Sequence, residues 1–291
     1  MALRAVALIA LAVAAAAQST APAPEPAPPP IAFSCPMDPE IRSLQPGKCS
    51  RCGMRLEAGI ADRVGYPIDL RVTPAAAPAG QPIEIRLSPR HPKTGAPVTN
   101  YEIVHEKLFH LFIVSSDLQH FAHVHPEPQG ATFRLIDTLP RAGVYRLLAD
   151  YYPAGGTPQL TPLTIATAGF TGPLVATPLE ADLAPKRGTN LEVELVTEPP
   201  EPIAGKKTLL FFRLKPGEGL EPLLGAWGHL LAASNDLIDM IHGHPSIADG
   251  GPQVQFDVFF PREAVYRVWV QFQRQGQVNT VQFTIPVSRL K

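Results

Sequence analysis

From about residue 59 to the end, the chain is a series of short runs in which apolar and polar residues alternate, broken by Pro and Gly. Ile68-Asp69-Leu70-Arg71-Val72 and Ile83-Glu84-Ile85-Arg86-Leu87 have the period of two that marks a strand with one face buried. Leu108 to Val114, Phe133 to Ile136 and Val144 to Ala149 read as further strands, and the signs return at Leu191 to Val196, Thr208 to Leu214, Val254 to Phe260, Val265 to Phe272 and Val278 to Val287. Strands recurring about every 8–12 residues with turn residues between them predict an all-β chain of two tandem Ig-like or cupredoxin-like β-sandwiches.

Composition supports that choice. The 291 residues include 34 Pro and 22 Gly, and proline both removes a backbone donor and clashes inside helices, which excludes a helix bundle. The net charge of -1 gives no reason to expect a nucleic-acid or polybasic membrane partner. Near the start, Arg4 precedes an apolar run from Ala5 to Ala17 that is too short to span a bilayer and ends in small residues, so residues 1–17 read as a secretory signal cleaved near Ala17. The mature protein is then expected in the periplasm or secreted, with no membrane span. Residues 18–31 are almost entirely Ala and Pro, an extended linker.

The sandwich region is a tandem duplication, read as residues 59–172 and 173–291. A shift of 119 residues lays His110 to Pro126 on His229 to Pro245 without a gap, with identity at His110/His229, Leu111/Leu230, Ser115/Ser234, Asp117/Asp236, Leu118/Leu237, His123/His242, His125/His244 and Pro126/Pro245. Pro140 to Arg146 then matches Pro261 to Arg267 at a shift of 121.

Six of the nine histidines occupy matched positions. Residues i and i+2 of a strand share a face, so His123 with His125, and His242 with His244, can chelate one ion. His110 or His229 would complete a three-nitrogen set suited to Cu(II) or Zn(II). The alternative is that each imidazole bonds a carbonyl and serves packing. Asp117 and Asp236 read as turn caps, the alternative being that they hydrogen-bond to the ligating histidines and orient them. Only the first copy adds His105 and His120, the second having Leu224 and Asp239 there, which points to the first copy as the stronger site.

Residues 32–58 hold all three cysteines. Cys49 and Cys52 form a C-x-x-C closed by Gly53, Cys35 is a third donor, and Met37 and Met54 lie beside them. Such soft donors suit Cu(I) or Zn(II), the alternative being a Cys49–Cys52 disulfide with Cys35 left over. The segment resembles the short heavy-metal-binding domain found on heavy-metal-transporting ATPases and efflux adaptors, through Cys35-Pro36-Met37, Pro39-Glu40, Pro46-Gly47, Cys49 and Cys52-Gly53-Met54. It departs from that pattern at Asp38, where the family has histidine, and at Ser50, where it has proline. The stretch His105 to Pro126 also resembles a group of exported bacterial proteins that carry H-x-H-P motifs, often beside such a segment.

Three functions compete. The first is an exported protein that sequesters or relays copper or zinc, with the Cys/Met segment as a mobile acceptor and a metal transporter or efflux component as partner. The second is a metal-dependent enzyme built on three histidines; no general base is evident, Glu106 and Glu127 being the nearby carboxylates. The third is an adhesion or spacer module.

Overall fold

The computed structural model describes residues 33–35, 41–51, 53–58 and 65–290. The expected signal peptide, the Ala/Pro linker, Met37, Asp38 and Cys52 lie outside the described residues. Among those residues the secondary structure is strands and turns, with no α-helix. The Cys-rich segment forms β1 (Phe33–Ser34), β2 (Arg42–Ser43) and β3 (Glu57–Ala58). Next come β4 (Ile68–Thr73), β5 (Pro82–Pro89), β6 (Phe109–Ser115), β7 (Phe121–Val124), β8 (Glu127–Gln129), β9 (Thr132–Thr138), β10 (Val144–Tyr151) and β11 (Gln159–Ala166). The second copy supplies β12 (Lys186–Arg187), β13 (Glu192–Glu198), β14 (Lys207–Lys215), β15 (Leu220–Glu221), β16 (His229–Ser234), β17 (Met240–Gly243), β18 (Pro245–Ile247), β19 (Gln253–Phe259), β20 (Ala264–Arg274) and β21 (Gln277–Val287).

Each copy is a two-sheet sandwich of antiparallel ladders. The first stacks β4-β5-β9-β8 on β11-β10-β6-β7; the second stacks β12-β13-β14-β19-β18 on β15-β20-β16-β17, with β21 also paired to β20. The period-two runs fill the space between sheets. In the first copy Ile83, Ile85 and Leu87 of β5 meet Phe109, Leu111, Ile113, Tyr145 and Leu147. In the second, Leu210, Phe212 and Leu214 meet Leu230, Tyr266, Val268 and Phe283.

Two strands break the half-buried pattern. β6 and β16 are buried at every position. Their inner residues belong to their own sandwich, while the alternate residues face the other copy: Phe112, Val114, Phe121 and Leu148 cluster with Leu231, Ala233, Leu237, Met240 and Trp269. The sandwiches therefore meet sheet to sheet through β6-β7 and β16-β17. The chain between them is pinned there as well, since Thr177 donates its hydroxyl to the Ser116 carbonyl and its N–H to that of Asn235.

The Cys-rich segment is packed against this unit. Cys35, Cys49, Met54 and Leu56 share an apolar cluster with Val104 and Tyr152 of the first sandwich, and Tyr152 donates its hydroxyl to Glu57. The described part of the segment is thus docked on the sandwich, which departs from the expectation of a mobile acceptor. Burying Cys35 and Met54 on neighbouring apolar side chains gives some 25 residues the core they cannot build alone.

Candidate metal centre

The β6–β7 hairpin sets the first triad. Register pairs Phe112 with His123 and Leu111 with Val124, so His110, His123 and His125 project from one face. The second hairpin repeats this, pairing Leu231 with His242 and Leu230 with Gly243. In each triad one ring nitrogen from every histidine lies within 4.8 Å of the others. The faces that carry the triads are the two faces in contact, so all six rings, joined by His105, lie in one layer between the sandwiches. His123 and His229 are 5.3 Å apart between ring centres across that layer, and His110 and His242 are 6.2 Å apart.

Outer hydrogen bonds decide which nitrogens face inward. His110 donates from Nε2 to the Val104 carbonyl at 3.0 Å, and His229 does the same to Leu223 at 2.8 Å. His123 donates from Nδ1 to Gln271 Oε1 at 2.8 Å, while the amide of Gln271 donates to Thr280. His242 donates from Nδ1 to Asp150 Oδ2 at 2.6 Å. A neutral imidazole carries a single N–H, so His110 Nδ1, His123 Nε2, His229 Nδ1 and His242 Nε2 are all left as lone pairs. In the first triad His110 Nδ1 lies 3.1 Å from His123 Nε2 and 3.2 Å from His125 Nε2. In the second, His229 Nδ1, His242 Nε2 and His244 Nε2 are buried without a hydrogen-bond partner.

Burial keeps these rings neutral. It pulls His105 down to about 4 and His123 and His125 to about 3, lowers His110, and holds His229, His242 and His244 well below the ordinary histidine value. Asp150 is moved the other way, up to about 6, also by burial. The donor set fits a borderline cation: bonds of about 2.0–2.1 Å to imidazole at tetrahedral angles place ligand nitrogens about 3.3 Å apart. A cleft of about 370 Å³, lined by Ser50, Arg51, Trp227, Pro245 and Ser246, reaches His244 from the surface.

The remaining sequence candidates divide. Asp117 and Asp236 are turn residues: each accepts from the serine two positions before it and from the backbone N–H two positions after it. His120 packs on Tyr145 at the other end of the hairpin, outside the layer. His105 is in the layer, but it stacks on His244 at 3.7 Å and lies edge-on to His229 at 5.5 Å, nearer to the second triad than to His110 of the first, which is 6.4 Å away. In the Cys-rich segment Cys35, Cys49 and Met54 are buried together, and the Arg51 N–H points at Cys49 Sγ at 3.4 Å. Sequence reasoning missed Asp150 and Gln271. They occupy equivalent places in the repeat, 150 and 271 differing by the same 121 residues that relate Pro140 to Pro261.

Two family models match the chain. A family model described as a domain of unknown function, DUF8832, matches residues 62–169 and 186–289, well over half of the chain. The chain belongs to the DUF8832 family. A second model, heavy metal binding domain, matches residues 32–58 of this DUF8832 chain. No curated protein matches the DUF8832 chain. Solved structures similar to it include the Yersinia pseudotuberculosis adhesin InvE, at 12% identity and TM-score 0.26, covering 77% of this chain and 61% of the adhesin chain. A two-domain fibronectin type III segment of chicken tenascin is similar at 12% identity and TM-score 0.24, covering 76% and 99% of the two chains. The fibronectin(III)-like modules of Clostridium thermocellum CbhA follow at 14% identity and TM-score 0.22, covering 77% and 94%. These likenesses concern the sandwich fold alone.

Proposed function

We propose that this chain is an exported metal-binding protein that holds copper or zinc at its two histidine triads and at its Cys-rich segment, for sequestration or relay in metal resistance. The observation that carries the reading is the first triad, where His110 Nδ1 lies 3.1 and 3.2 Å from two further ring nitrogens while its proton is held on the far side by Val104. The lone pairs of His110 Nδ1 and His123 Nε2, 3.1 Å apart, repel one another unless a cation lies between them. Neutral imidazoles suit Cu(II) or Zn(II), and the softer set of Cys35, Cys49, Cys52, Met37 and Met54 suits Cu(I) or Zn(II). Export to the periplasm or medium rests on the Arg4 and Ala5–Ala17 pattern, and no helix among the described residues is long and apolar enough to cross a membrane. A metal transporter or efflux component is the natural partner.

Titration of untagged full-length protein with Cu(II) and with Zn(II), paired with elemental analysis, tests this. The double variant His110→Ala/His229→Ala is expected to lose at least tenfold in affinity at two sites, since even a residue that only orients a ligand is worth tenfold to a hundredfold. Equal stoichiometry and affinity in the two proteins would overturn the reading. A metal-dependent enzyme is the second reading, favoured by the cleft that reaches His244 and by the coordination position three histidines leave open. Many turnovers of an activated ester per bound ion would favour it, and stoichiometric release to a chelator without turnover would favour the binding protein.

A further inference from the structure

The duplication makes the two triads look equivalent, and at two places the copies differ. Where the first copy has Asp150 the second has Gln271, and where the first has His105 the second has Leu224. Because the sandwiches meet face to face, each copy supports the triad of the other. Asp150 of β10 sits beside His110 in its own sheet, yet its carboxylate accepts from Nδ1 of His242 across the interface. Gln271 of β20 sits beside His229, yet its amide oxygen accepts from Nδ1 of His123. The same crossing applies to His105, which is hydrogen-bonded to the backbone of Leu224 and whose ring lies over His244. Its Nε2 is buried and unpartnered.

Both departures from repeat symmetry therefore favour the second triad. A carboxylate behind a ligating imidazole fixes its tautomer and increases the electron density it offers an ion, where a carboxamide offers only a neutral dipole. The side chains of His242 and Asp150 are only 2% and 6% exposed, so this charge acts with little solvent screening. His105, stacked on His244 with ring centres 3.7 Å apart, holds the orientation of that ring as a leucine could not.

We infer that His229, His242 and His244 form the tighter of two metal sites, with Asp150 of the first sandwich as a positioning carboxylate behind His242 and His105 as a positioning ring stacked on His244. The inference rests on the metal-binding reading above. It also reverses the ranking drawn from the sequence. There the extra histidines of the first copy were credited to the first triad, but the interface hands His105 to the second. The ligating imidazoles come from the second copy and the residues that position them from the first, so an ion at this site ties the sandwiches together.

Co(II) titration of the untagged full chain tests the inference. Co(II) has visible d–d bands, and thiolate ligation adds a near-ultraviolet charge-transfer band that separates the Cys-rich segment from all-nitrogen sites. Two nitrogen-site events are expected in the unaltered protein, the tighter one lost in His242→Ala and kept in His123→Ala. His105→Leu and Asp150→Gln install the residues of the other copy, and each should weaken the tight event at least tenfold while leaving the weak event in place. Asp150→Glu should restore part of what Asp150→Gln loses. The reciprocal change Gln271→Asp should tighten the weak event at least tenfold, and this gain is readable even if Asp150→Gln folds poorly. A tight event lost in His123→Ala and kept in His242→Ala would overturn the inference, as would a tight event unmoved by both His105→Leu and Asp150→Gln. No nitrogen-site event in the unaltered protein would overturn the metal-binding reading itself, and this inference with it.

Discussion

The inward nitrogens of His110, His123, His229 and His242 are bare because a neighbour on the far side of each of these rings holds the proton, and the burial of the triads ties the histidines to pH. The folded chain keeps His105 neutral to about pH 4 and His123 and His125 to about pH 3, since burial opposes the charged form. An unfolded histidine titrates near 6.5. Below about pH 6.5 the unfolded chain therefore binds more protons than the folded one, and stability declines as pH drops toward those folded values. The melting temperature of metal-free protein should fall between pH 6.5 and 4, and fall less in a His123→Ala/His125→Ala variant, which has fewer rings to protonate. Thermal melts at stepped pH check this; identical pH slopes in the two proteins would contradict it. The chemistry of the rings was legible from His123-Val124-His125 and its repeat. Their partners were not, because Asp150 and Gln271 lie far along the chain, and no local pattern says which face of another domain they meet.

At the scale of elements, the two hairpins that carry the triads are held by the same turn. Leu118 and Leu237 both adopt left-handed backbone angles, φ 56° and 55°, and both are buried against the opposite copy. The left-handed conformation costs about 1–2 kcal/mol for a residue with a side chain, while removing a buried leucine side chain costs about 2–5 kcal/mol. Burial wins. Leu118→Gly should therefore destabilise the protein by about 1–3 kcal/mol in denaturant unfolding, although glycine is the easier residue at such an angle; a stabilised variant would show that the strain outweighs the packing. Phe112 projects from β6 into the interface and stacks on His123 at 4.3 Å. Phe112→Ala is expected to cost about 3–5 kcal/mol and to weaken ion binding at the first triad, measured by chemical unfolding and by titration. The strands expected from alternation are all present, because alternation reports a sheet with one face in a core. β6 and β16 carried a different signal, the unbroken apolar runs Leu111 to Val114 and Leu230 to Ala233, which is how a strand buried on both faces reads. That signal locates the contact between the sandwiches.

At the scale of the whole molecule, ions held between two sandwiches should act as staples. A ligand at a hundred times its dissociation constant stabilises the state that binds it by about 2.7 kcal/mol. Saturating Zn(II) should raise the melting temperature of the full chain, and calorimetry should show the rise abolished in His110→Ala/His229→Ala. A rise of equal size in that variant would place the stabilising ion elsewhere, the Cys-rich segment being the obvious alternative. That segment is docked through Cys35, Cys49 and Met54 onto Val104 and Tyr152. The residue that follows Val104, His105, stacks on His244 of the second triad.

The sequence alone determined the fold class and the kinds of donor. Proline excludes helices, period-two alternation makes sheets, a 119-residue shift reveals the duplication, and the identities of His110, His123 and His125 with His229, His242 and His244 survive it, all of these being local or self-referential properties of the chain. Only the tertiary structure decided that the triads face each other, that Asp150 accepts from His242 and Gln271 from His123, and that His105 stacks on His244. The physical reason is that strand register specifies which face a side chain takes, whereas the choice of partner for that face depends on apolar surface buried between two separately folded sheets. Residues 92 and 148 positions apart, as in Asp150 with His242 and His123 with Gln271, enter that surface together, and no spacing within either copy records it.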